Sequence, residues 1–154
     1  MACPYFMPTE RLENGSWPHP SRLPLAGGWN GHCTAPGHDG ETPTQNIVEA
    51  FCNLGYADGC SWAPRARAFD AVRFAVQPQA EKANGARIIQ LQYVCERNHR
   101  PLEAGILQFD AAQKRWLQAH ADRCIQKMAG CFLEAYMKRM SRTDSYGDQE
   151  KDPQ

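Results

Sequence analysis

Seven cysteines occur in a chain of 154 residues, and their surroundings divide them into two sets. Cys3, Cys33, Cys52 and Cys60 lie beside glycine or proline in segments that read as loops or as a helix end. Four thiolates make a complete ligand shell for a [4Fe-4S] cluster or for structural zinc. Their spacing, C-x29-C-x18-C-x7-C, has no tight CxxC pair, which favours the cluster over zinc. Dispersed ligands need long loops to bring them together, and a bound centre offsets the entropy of ordering those loops. Phe6, Trp29, Tyr56 and Trp62 are available to shield such a centre, and Gly31, Gly55 and Gly59 allow backbone to come close. His32 and His38 are the histidines placed to replace a thiolate in a mixed zinc site. Cys95, Cys124 and Cys131 fall instead on apolar periodicities, where cysteine behaves as a small hydrophobe.

Other chemistry is poorly represented. There is no glycine-rich phosphate loop, no HExxH and no nucleophile, base and orienting group in a recognisable pattern, so a non-catalytic role is expected. His99, with Glu96, Arg97 and Arg100 around it, reads as an ordinary polar turn. The net charge of zero hides an uneven distribution: residues 1–60 carry two basic and six acidic groups, and residues 61–142 carry fourteen and seven. Arg65, Arg67, Arg73, Arg97 and Arg100, with Arg87, offer a basic face for an acidic partner or a nucleic-acid backbone, without a reading helix or stacking platform. Three function classes follow: a small iron-sulfur protein that transfers electrons or supports a protein interaction, a zinc-stabilised or metal-free adaptor, and a nucleic-acid-binding module. No run is long and apolar enough to span a bilayer, and the first residues lack a leader pattern, so a cytoplasmic protein without membrane insertion is expected. Reducing surroundings favour ligation or burial of the thiols over disulfides.

Positioning these residues requires a compact α+β domain over residues 1–142, followed by a mobile acidic tail at 143–154. The first 43 residues hold seven prolines and six glycines and predict an irregular lobe, pinned by its aromatics or by a bound centre. Thr42, Pro43 and Gln45 predict a capped helix running to about Leu54, with Gly55 ending it and Cys52 in its last turn. Alternation at Val72, Phe74 and Val76 predicts a strand. Two more, Ile88 to Cys95 and Leu102 to Phe109, are joined by a turn around Asn98 to Pro101, giving an antiparallel sheet of about three strands. From Asp110, with Gln113 three residues on, a long helix is expected, carrying Leu117, Cys124, Met128, Cys131 and Ala135 on one apolar stripe. Ile125, Phe132, Tyr136 and Met140 broaden that stripe, so the helix is the expected route to a protein partner or a second copy of the chain.

Overall fold

The computed structural model describes residues 1–12, 23–77 and 87–144. The chain has an α+β architecture, with antiparallel sheets, a short helix and a longer C-terminal helix. Strands β1 (Phe6–Leu12) and β2 (Gly28–Cys33) form a two-stranded antiparallel pair. Helix α1 (Gln45–Ile47) passes directly into a π-helical turn (Val48–Cys52), and a 3-10 turn follows at Ala57–Gly59. Strands β3 (Ala71–Val76), β4 (Ile88–Arg97), β5 (Arg100–Asp110) and β6 (Arg115–Gln118) form a four-stranded antiparallel sheet in that order. Helix α2 (Arg123–Asp144) closes the fold.

The alternation in β3 places Val72 and Phe74 inside and Arg73 and Ala75 outside, as expected of a sheet solvated on one face. Across β4 and β5, the register pairs Ile89 with Phe109 and Leu91 with Leu107, and all four side chains are buried. Helix α2 covers this face with Cys124, Ile125, Met128, Cys131 and Ala135, all buried, while Phe132 meets Phe74 at 6.0 Å between ring centroids. Full burial of each large side chain here contributes about 1.5–3 kcal/mol. The expected apolar stripe therefore exists from Cys124 onward and is spent on the chain's own sheet. Among the described residues, none of the large apolar side chains left exposed (Leu54, Leu102 and Leu117) belongs to α2.

The expectation of one helix from Asp110 is corrected. Asp110 Oδ1 does accept the amides of Ala112 and Gln113, at 2.9 and 3.0 Å, which are the bonds of a helix cap. The same two bonds also stabilise a turn, and here Lys114 takes a left-handed conformation (φ 52°) that sends the chain back as β6. Trp116 packs edge-on against Phe109, with centroids 5.2 Å apart, and this holds the returning strand. Leu117 consequently lies on β6 and is exposed. The cap of α2 is Asp122, whose Oδ1 accepts from Cys124 N and Ile125 N at 2.8 and 3.0 Å. At 22 residues, α2 extends about 33 Å and is unbroken at Gly130.

Smaller differences have equally local causes. The main sheet has four strands where about three were expected, the fourth being β6. The N-terminal lobe contains the β1–β2 pair where only irregular chain was expected, although residues 13–22 lie outside the described set. Thr44, not Thr42, precedes α1, and its side chain makes no capping bond. The β4–β5 turn consists of Asn98 and His99, both at positive φ (50° and 60°), which is the geometry that two-residue hairpins favour. Of the acidic tail, residues 145–154 lie outside the described set, and α2 itself reaches Asp144. Among the described residues, no helix is long and apolar enough to cross a membrane.

A candidate thiol-lined site

The β1–β2 pair brings the first two cysteines together. Phe6 lies opposite Cys33 in the register, and Phe6 N donates to Cys3 O at 3.1 Å, so the turn entering β1 ends beside the last residue of β2. Thr34 tightens the junction by donating both its amide (2.8 Å) and its hydroxyl (3.0 Å) to Tyr5 O. The loop after β2 folds back through Cys33 N to Glu41 O at 2.8 Å and Gly40 N to Cys33 O at 2.9 Å. Gly31 permits β1 and β2 to approach: a Cβ there would stand 2.1 Å from Met7 O and 2.7 Å from the Phe6 ring.

Cys52 arrives from the other side, at the end of the π-helical turn. Such turns recur at functional sites because the extra residue re-aims the side chains that follow. Cys3 N donates to Cys52 O at 3.2 Å, so two of the thiol-bearing segments are joined through backbone. Asn53, fully buried, fixes the orientation. It accepts from Trp29 N at 3.0 Å and donates to Trp29 O at 2.9 Å and to Val48 O at 3.2 Å. Cys60 follows the 3-10 turn, with Cys60 N donating to Ala57 O at 3.1 Å. Gly59 keeps that turn against Phe51, whose ring would be 2.7 Å from a Cβ at this position.

Cys3, Cys33, Cys52 and Cys60 thus line one cavity, together with apolar and aromatic side chains that include Tyr5, Phe6, Phe51 and Trp62. Its atom-free space is about 310 Å³ out to the mouth, and the centre of a water molecule could occupy only about 10 Å³ of it. All four thiols are free; Cys3, Cys33 and Cys52 are buried and Cys60 is half-buried. Burial, with smaller contributions from the neighbouring thiols, pushes Cys3 up to about 12 and raises Cys52 further. Cys33 is raised by burial as well, partly offset by the Ala35 amide, which donates to its sulfur at 3.4 Å. The Tyr5 amide is similarly directed at Cys3. Thiols lining one apolar cavity and supplied with amide donors are chemically suited to a group that takes up negative sulfur. Among the described residues, no three His, Cys, Asp or Glu side chains meet at the spacing of a single metal ion.

The remaining residues singled out from the sequence distribute around this cavity. Cys95, Cys124 and Cys131 are buried in the core and do not line it, although Cys124 Sγ lies 3.2 Å from Thr34 Oγ1 at its back. His38 stacks on Trp62 (centroids 4.3 Å apart, planes within 5°) and pairs with Glu41 at 3.1 Å. His32 lies on β2 and does not line the cavity. Of the expected shielding rings, Phe6 and Trp62 are at the cavity, Trp29 lines a different cleft, and Tyr56 binds Glu96 Oε2 at 2.7 Å and packs on His99. Tyr5, Phe51 and the Asn53 clamp carried no sequence signal, because their partners lie far along the chain.

The arginines separate into two kinds. Arg67 Nε donates to Asp70 Oδ1 at 2.6 Å and its Nη2 lies 3.3 Å from Asp58, while Arg73 pairs with Glu96 at 3.3 Å. Arg65, Arg97 and Arg100 are exposed. Asp70, 3 % exposed, also accepts from Asn98 N at 2.7 Å. Burial pushes its carboxyl up, but Asn98 N–H and the Arg67 guanidinium outweigh that and hold it below the usual carboxylate value of 3.8. Its stabilisation is therefore complete above that value and is lost as pH falls through the lowered one. Asp70→Asn should cost about 3 kcal/mol at neutral pH, since it leaves Arg67 poorly compensated. The variant should also show a smaller loss of stability between neutral pH and pH 3 in urea titrations; equal losses would exclude this role for Asp70.

No protein-family model, curated protein or solved structure matches the chain.

Proposed function

We propose that the chain is a small iron-sulfur protein holding one [4Fe-4S] cluster through Cys3, Cys33, Cys52 and Cys60, and that it either passes one electron or uses the cluster to hold a surface for a protein partner. The observation that carries this reading is the convergence of these four thiols, and none of the other three, on one cavity walled by aromatic and apolar side chains. Tetrahedral zinc would require thiolate sulfurs about 3.8 Å apart, given a Zn–S bond of about 2.3 Å. A four-iron cluster accepts its thiolates at the corners of a larger body, and four cysteines from separate segments line this one cavity. Amides directed at Cys3 and Cys33 would stabilise sulfur charge, one of the means by which a protein sets cluster potential. Cys60 is the corner nearest solvent, and Trp62 under His38 covers the cavity on its side.

Because the space is narrow, loading must move the rings that line it. Anaerobic purification followed by iron, sulfide and zinc analysis tests the proposal. About four irons and four sulfides per chain, with broad absorption near 400 nm that bleaches on reduction, is the expected result. Stoichiometric zinc, or a colourless folded protein that gains no iron on anaerobic reconstitution with ferrous iron and sulfide, would overturn it.

A further inference from the structure

A second recess, open to solvent, lies on another part of the molecule between the β1–β2 pair, β6 and α2, with room of about 600 Å³. That is the size of a small-molecule site. Trp29 and Trp116 line it with Met7, and α2 contributes Arg123 and Lys127. Trp29 is 4 % exposed, and its Nε1 hydrogen has no acceptor among the described residues. That hydrogen is itself shielded from the recess, so what Trp29 offers a ligand there is its ring.

Arg123 and Lys127 stand four residues apart on one helix face, where like charges repel. Neither is paired with a carboxylate among the described residues, and the carboxylate that lines the recess, Glu134, is matched by Lys138 at 2.8 Å. His120 is already engaged: its Nδ1 accepts from Asp122 N at 2.9 Å and its Nε2 lies 3.6 Å from Glu103. The unmatched chemistry of the recess is therefore two cations, set beside two indole rings.

We propose that this recess binds a small organic anion, a phosphate ester or a carboxylate carried on an aromatic or apolar body, with the anionic group between Arg123 and Lys127 and the body against the tryptophans. This site is independent of the thiol cavity. The test uses the full chain with labelled tryptophans, titrated with phenyl phosphate, benzoate and benzyl alcohol while the indole N–H resonances are followed by NMR. Trp29→Phe keeps a ring in place and identifies the Trp29 signal. The expected result is a saturable shift of that signal by at least one of the two anions, with Kd about 1 mM or tighter. Arg123→Gln and Lys127→Gln, both at exposed positions, should each weaken binding about tenfold. The better of the two anions assigns the headgroup. A shift that does not saturate by about 10 mM, benzyl alcohol binding as tightly as the anions, or affinity unchanged in both charge variants would each overturn the proposal.

Discussion

Serine in place of Cys52 is expected to lower bound iron at least tenfold and to abolish the absorption near 400 nm. Loss of a ligand should exceed the 10–100-fold that even an outer partner of a metal site commonly costs. Cys52 is buried and its backbone carbonyl holds Cys3, so the hydroxyl also adds a polar group to an apolar wall, at about 1–3 kcal/mol. Cys60→Ser separates ligation from folding, because Cys60 is half-buried and ends a short turn. It should lose iron as completely while unfolding closer to the parent. Cys95→Ala supplies the opposite control: this thiol is fully buried in β4 and does not line the cavity. That variant should keep its iron and lose about 1–2 kcal/mol in denaturant. Iron retained in Cys60→Ser, or lost equally in Cys95→Ala, would remove the ligand assignment.

The second large effect is expected at a residue with no side chain. Gly31→Ala places a methyl group 2.1 Å from Met7 O, and both partners are strand backbone that cannot rotate away. The β1–β2 pair must separate or shift, and with it the junction that sets Cys3 beside Cys33. A cost of about 4 kcal/mol or more is expected, at the upper end for single substitutions. Metal content should fall together with stability, since the strand pair positions two of the four thiols. Equilibrium unfolding with parallel iron analysis measures both. A Gly31→Ala protein with parental stability would mean that the strands are not held at this separation.

The cysteine division was legible because each thiol's neighbours differ in kind. Glycine and proline flank the set that lines the cavity, and apolar periodicity surrounds Cys95, Cys124 and Cys131. Strands β3, β4 and β5 were legible for the same reason, their alternation being local. What escaped were decisions made at a distance. Asp110 and Asp122 make the same pair of side-chain bonds to following amides, yet one turns a hairpin and the other caps a helix. The difference is the packing of Trp116 on Phe109, which a local window does not contain. Likewise, Arg67 and Arg73 resemble Arg97 and Arg100 in sequence, but Asp70 and Glu96 reach only the first two among them as ion-pair partners. Asn53 shows no pattern at all until Trp29 is brought beside it.

Burial also determines how the sulfurs of the cavity fare in air. Oxidation to a sulfenic acid or a disulfide begins from the thiolate, and burial that pushes Cys3 up to about 12 leaves it protonated at neutral pH. Cys3, and Cys52 with it, are therefore slow to react even though other sulfurs line the same cavity. Cys60, closest to water, is the first that an oxidant can reach, and its nearest potential partners for a crosslink are protonated. Desolvation thus slows oxidation of these sulfurs in the newly folded chain, and the proposed cluster would have to displace their protons as it binds.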